Sequence, residues 1–125
     1  MTALTNYAED KLNDHLLGTT AFTVPTNVYV KMHLGDPGED ATGNAAAETT
    51  RKVMSFAASS GGSASTDAAI SWTGLAATET WTHFSIWDAV TAGNPLLYGA
   101  LDASVPVTAA GAATIASGDI TSIAA

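Results

Sequence analysis

The chain reads as a mainly β protein, a single-domain β-sandwich or jelly-roll-like fold over residues 1–125 with one N-terminal α-helix. Three observations predict this. Seven or eight short runs rich in β-branched, aromatic and aliphatic residues are separated by Gly, Pro, Asn, Asp and Ser turns, the pattern of a sandwich or jelly roll. Residues 81–101 form a hairpin signal, two apolar runs around Thr91-Ala92-Gly93-Asn94-Pro95. Only residues 3–17 show the spacing of an amphipathic helix.

In that helix Leu4, Ala8, Leu12 and Leu16 recur every four residues and share a face, which Leu17 widens. Asn6 with Glu9, or Thr2 or Thr5, supplies the cap. Gly18 ends the helix in the left-handed conformation that Gly adopts without strain. Residues 28–34 then alternate, with Val28, Val30, Met32 and Leu34 expected inward and Tyr29, Lys31 and His33 outward. The acidic, small-residue segment 35–50 is a loop of about fifteen residues, longer than a compact domain carries without a purpose. Residues 51–57 and 69–72 are further strands, divided by a Ser/Gly stretch at 59–63 expected to be flexible. After the hairpin, Val105-Pro106-Val107 suits an edge position because Pro donates no ladder hydrogen bond. Two short strands, 112–116 and 119–123, close the chain.

The hairpin's first strand carries large groups on both faces. Alternation sends Phe84 and Ile86 one way and Trp81, His83 and Trp87 the other. Both faces therefore need cover: an opposing sheet for one, and the Leu4/Leu12/Leu16 stripe of the helix or a neighbouring subunit for the other. The expected core is Leu12, Leu16, Val28, Val30, Met32, Trp81, Phe84, Ile86, Trp87, Leu97 and Leu101.

Composition narrows the function. Charged residues make up 13%, against about a quarter in ordinary soluble domains, and small residues replace them, which suits a surface covered by neighbours. Four basic against twelve acidic residues give a net charge of −8. Nucleic-acid and anionic-membrane partners are disfavoured, since both require Lys and Arg. The N-terminal residues lack the basic start and apolar centre of a signal peptide, and no apolar run approaches the roughly 20 residues of a membrane span. The expected place of synthesis is a cytoplasm. With no Cys, disulfides and thiolate metal sites are excluded.

No cofactor, metal site or catalytic constellation is expected. His15, His33 and His83 lack zinc-ligand spacing, leaving His33 as an exposed strand residue and His83 as a packed one. The acids of Asp36-Pro37-Gly38-Glu39-Asp40 do not match a calcium loop. No Gly-x-Ser-x-Gly elbow or phosphate loop is present, and the Ser residues sit in Gly/Ala loops without a nearby His. Trp72, Trp81 and Trp87 would form a sugar-binding platform if exposed, and core or subunit contacts otherwise.

Four segments carry a resemblance: Tyr7 with Lys11-Leu12-x-Asp14-His15-x-Leu17-Gly18; Pro25-x-x-Val28-Tyr29-Val30-x-x-His33-x-x-Asp36-Pro37; Thr82-His83-Phe84-x-Ile86-Trp87-Asp88-Ala89; and Gly93-Asn94-x-Leu96-Leu97-Tyr98-Gly99. Together they resemble small virion proteins of tailed bacteriophages. Members of that group are labelled tail fibre proteins, and relatives are similar to capsid decoration (cement) proteins with a jelly-roll-like fold. The resemblance implies a virion structural protein. Its leading form is a homotrimeric decoration protein on the outer capsid surface, bound to the major capsid protein and stabilising the shell by mass action. A tail or fibre-base component bound to tail proteins comes second. Apart from the resemblance, an exposed Trp face would make a carbohydrate-binding module the third reading. The expected partner contacts are Asp36, Pro37, Glu39, Asp40, Asn44 and Glu48 in the long loop. Deleting that loop is expected to abolish incorporation and leave the fold intact.

Overall fold

The computed structural model describes residues 2–123. Among the described residues the chain forms β1 (Thr2–Leu4), α1 (Asn6–Leu16), β2 (Val28–His33), β3 (Lys52–Met54), β4 (Ser63–Ser65), β5 (Ile70–Thr73), β6 (Glu79–Trp87), β7 (Pro95–Val107), β8 (Ala112–Ile115) and β9 (Thr121–Ile123). The mainly β class with one N-terminal helix is as predicted. A five-stranded antiparallel sheet, ordered β1-β7-β6-β2-β3, forms one layer. The strands around it pair as two-stranded ribbons, β5 with β8 and β4 with β9, where a jelly roll has a second full sheet.

Register assigns the faces. Val30 pairs with Ile86 and Met32 with Phe84, so these four share one face. Ile70, Trp72, Ala113 and Ile115 of the β5–β8 ribbon, with Leu75 and Ile120, join them in the core cluster. Val28, Leu97 and Leu101 pack half-buried at its margin. Trp81 belongs to this cluster too, against the expectation from alternation. The cause is a register break: Trp81 pairs with Val105 but His83 pairs with Ala100, so Thr82 faces a bulge of β7. A bulge bends and twists its strand, which brings Trp81 to the Phe84 side. There it meets Trp72 edge-on, with ring centroids 5.1 Å apart.

The opposite face carries Tyr29, Lys31 and His33 beside Trp87, Ser85 and His83. His33, expected to be exposed, is fully buried, and His83, expected to be packed, is half-buried. Leu34, expected inward, is 43% exposed because the strand ends at His33. The long loop causes both results by folding back along β2: Leu34 N–H donates to Asn44 O at 2.7 Å and Ala46 N–H to Met32 O at 3.1 Å.

The helix begins later than its periodicity suggests, because residues 2–4 pair with β7 as a strand. Thr5 is the cap: its hydroxyl oxygen accepts from Ala8 N–H at 3.2 Å and donates to Pro95 O at 2.6 Å, fastening the helix start to β7. At the far end Gly18 N–H bonds His15 O and Thr19 N–H bonds Asp14 O, a Schellman closure with Gly18 at φ +77°. Leu12 and Leu16 are not core residues. They are 39% and 70% exposed, and no helix residue is buried. The ribbon covers the core face, while the helix leans on β1 and the start of β7.

Two turns also differ from expectation. The 59–63 stretch is a tight turn: Ser60 and Ser63 exchange both backbone hydrogen bonds around Gly61 and Gly62 at φ +61° and +81°, as a type I′ hairpin requires. Val105-Pro106-Val107 continues β7, and Pro106 is tolerated because β1 pairs only with Leu97–Gly99, leaving that side of β7 open. In the β6–β7 turn the Asp88 carboxylate accepts from Asn94 N–H at 2.7 Å and from its side-chain amide at 3.0 Å. Gly93 there has φ +71°, and a Cβ would lie 2.5 Å from Asp88 Oδ1 and 2.6 Å from Ala89 Cβ. Gly93→Ala is expected to cost about 2–4 kcal/mol, from left-handed backbone strain and displacement of the charged cap; urea unfolding measures it.

Candidate interaction surfaces

The long loop is a braced structure. Pro37, Ala41 and Ala46 are buried, Gly43 N–H bonds Pro37 O at 2.8 Å, and Asn44 Nδ2 donates to Asp36 O at 2.9 Å. The Asp36 carboxylate accepts from Gly38 N–H, and that of Asp40 from the Thr42 hydroxyl and N–H. The Thr42 hydroxyl, then its N–H, holds the Asp40 carboxyl below its ordinary range. Asp36, Glu39, Asp40 and Asn44 are exposed or half-exposed and Glu48 is half-exposed, all open to a partner, whereas the Pro37 side chain is not. The interior residues also correct the deletion expectation: removing the loop strips the fold of buried side chains, so point changes of its acids are the usable probe.

Behind the loop lies a buried polar relay. His33 Nδ1 is 2.8 Å from Gly43 O, His33 Nε2 is 2.7 Å from Ser85 Oγ, and Trp87 Nε1 donates to Ser85 Oγ at 2.8 Å. A carbonyl only accepts, so Nδ1 carries the proton of the neutral ring and Nε2 accepts from the Ser85 hydroxyl. Burial chiefly, with the Lys31 and His83 charges, lowers the His33 pKa, although the Gly43 bond opposes this. A Ser thus does lie beside a His, contrary to the sequence reading. Both are fully buried, which suits a structural tie of loop to sheet.

Trp72, Trp81 and Trp87 are 1%, 0% and 7% exposed, so the Trp platform of a sugar-binding module does not exist. The Arg51 guanidinium covers Trp87 at 3.8 Å and donates to Ala89 O and Ala92 O, binding the β6–β7 turn to this face. Among the described residues no group of three His, Asp or Glu is placed to hold a metal ion, and no helix is long and apolar enough to cross a membrane.

An apolar cleft of about 250 Å³ lies where α1 meets the strand ends, lined by Leu4, Ala8, Leu12, Phe22, Pro25, Val28, Leu96 and Leu97. Leu16 (70% exposed), Leu17 (79%) and Val24 (83%) add exposed apolar groups from α1 and the segment beyond it. The helical stripe is thus real but half open. Periodicity located Leu4, Ala8, Leu12 and Leu16; it carried no signal for Phe22, Pro25 or Leu96, which long-range folding delivers. An apolar cleft with exposed apolar groups on the same helix is the kind of surface that characterises interaction sites.

A protein-family model described as podophage GP4 fiber I protein gp80 matches residues 3–122. The chain belongs to that family. It is a phage structural protein of the virion, in keeping with the resemblance found in the sequence. A comparison with curated proteins found no match.

Proposed function

We propose that the protein is a non-enzymatic structural component of the phage fibre, joined to a neighbouring tail or fibre protein through the apolar cleft at α1. The observation that carries this is the family match over residues 3–122 to a fiber protein. It favours the fibre component, which the sequence resemblance put second, over the capsid decoration protein that it put first. The apolar surface of α1 supplies the mode of attachment: Leu12 lines the cleft, and Leu16 and Leu17 at the end of the helix are apolar, exposed and not needed by the core.

Cryo-electron microscopy of the virion tests the placement. Density for this fold in few copies at the tail is the expected result, and hundreds of copies over the head would replace the fibre reading with decoration. Leu16→Asp with Leu17→Asp tests the mode. Stability is expected to stay within about 0.5 kcal/mol, as for exposed positions. Incorporation into virions, measured by complementation and immunoblotting, is expected to fall at least about tenfold, the effect of losing an interface anchor.

A further inference from the structure

A second cavity, of about 410 Å³, adjoins the apolar cleft: Phe22 and Pro25 line both. Its other walls differ in chemistry. From α1 come Tyr7 and Lys11, four residues apart and so on one face, turned away from the Leu12/Leu16 stripe. The β6–β7 turn contributes Asp88, and the segment between α1 and β2 contributes Thr20, Thr23 and Thr26. The fold itself fastens these walls. Thr20 N–H donates to Asp14 O at 3.3 Å and Phe22 N–H to His15 Nδ1 at 3.1 Å, which ties the segment to the end of the helix. Asn94 holds the Asp88 carboxylate with one hydrogen bond to each oxygen. A carboxylate has about four acceptor sites, so capacity remains for a ligand. Lys11 makes no hydrogen bond or ion pair among the described residues. Its ammonium lies 5.7 Å from the centre of the Tyr7 ring, within cation–π range.

One ammonium and one carboxylate in a single cavity restrict what it takes. A phosphate or carboxylate ligand is drawn by Lys11 but repelled by Asp88, in a chain whose net charge is −8. An amine is drawn by Asp88 and repelled by Lys11. An amino-acid zwitterion answers both charges and leaves the three threonine hydroxyls unused. A neutral sugar ring answers every group. Each of its hydroxyls both donates and accepts, and its C–H groups meet the negative faces of aromatic rings, here Tyr7 and Phe22. The volume falls within the usual range of small-molecule sites, about 300–1,000 Å³. We infer that this cavity binds one pyranose unit of a neutral saccharide, with Lys11 donating to its hydroxyls and Asp88 accepting from them. The site is distinct from the three tryptophans, which the fold buries. It holds or fails independently of the fibre assignment and of the Leu16/Leu17 surface.

Titration of the isotope-labelled full chain, followed by NMR, tests it. The neutral probes are glucose, galactose, mannose, rhamnose and N-acetylglucosamine; glucuronate, glycine and inorganic phosphate are the contrasting ones. At least one neutral sugar is expected to shift the amides of Tyr7, Phe22, Thr23 and Asp88 saturably, with a dissociation constant on the order of 1–10 mM, as suits a ligand of about a dozen heavy atoms. Lys11→Met keeps the length of the side chain and removes its charge, and Asp88→Asn does the same for the carboxylate. Each is expected to weaken sugar binding at least about tenfold, the effect of losing one charged hydrogen bond. Leu16→Asp with Leu17→Asp is expected to leave it unchanged. Absence of a saturable shift with every neutral probe up to about 100 mM overturns the proposal. So does a preference for glucuronate, glycine or phosphate, or native affinity in either charge-removing variant. Asp88 also holds the β6–β7 turn, so circular dichroism checks folding, and if Asp88→Asn misfolds, Lys11→Met on the helix decides alone.

Discussion

Replacing Trp81 with alanine is expected to remove about 3–5 kcal/mol of stability, the range for truncating a large buried aromatic. Trp81 has no exposed surface and meets Trp72, itself 1% exposed, edge-on. The pair spans the two layers, with Trp81 on the sheet and Trp72 on the ribbon. Both indoles are also tied to the long loop. Trp81 Nε1 donates to the Glu79 carboxylate, which accepts Ala47 N–H, and Trp72 Nε1 donates to Thr50 O at 3.1 Å. Truncation therefore opens a cavity between layers and loosens the loop's return. Against a usual total of about 5–15 kcal/mol, this is a large share. Differential scanning calorimetry is expected to show a melting temperature lower by about 10–20 °C. Leu16→Ala is the control: Leu16 is 70% exposed, and its loss is expected to lie within about 0.5 kcal/mol. A Leu16→Ala effect as large as that of Trp81→Ala would show that the helical stripe is core after all.

That contrast shows which links were legible in the sequence. Local chemistry was readable: the strand at Val28–His33, the Gly18 stop and the hairpin each depend on neighbours within a few residues. The destination of each face was not. The Leu4-to-Leu16 spacing states that a stripe exists, but whether it is buried depends on which element reaches the core first, and here the β5–β8 ribbon does. Trp81 was assigned to the wrong face because a bulge of β7, far along the chain, breaks the alternation at Thr82. The Gly61-Gly62 pair carried a turn signal that a flexible reading overlooked. The same limit hid the candidate surface. The apolar cleft joins residues from 4 to 97, so only long-range pairing brings them together.

Removing the Ser85 hydroxyl is expected to be nearly as damaging as losing a core side chain, despite the loss of a single atom. In Ser85→Ala, His33 Nε2 loses its donor and the Trp87 indole N–H loses its acceptor, both in a buried site. A buried polar group left without its partner costs about 1–3 kcal/mol, so the two together are expected to cost about 2–5 kcal/mol in urea unfolding. The same relay gives stability a pH dependence. Native His33 is held neutral, chiefly by burial, with its pKa lowered from the ordinary value. Below about pH 6.5 the unfolded chain's histidine takes up a proton that the native one still refuses. The unfolded state then binds more protons, and the unfolding free energy falls as pH falls. This contribution is complete above about pH 6.5 and declines from there down to the lowered native pKa. Because Gly43 O accepts from His33 Nδ1, the first element to loosen is expected to be the 36–48 loop. Hydrogen exchange followed from pH 7 downward should show the Gly43 and Ala46 amides, which donate to Pro37 O and Met32 O, losing protection before those of β6. His33→Asn is expected to be less stable at neutral pH yet to flatten this part of the curve, and an unchanged slope in that variant would assign the acid sensitivity to another group.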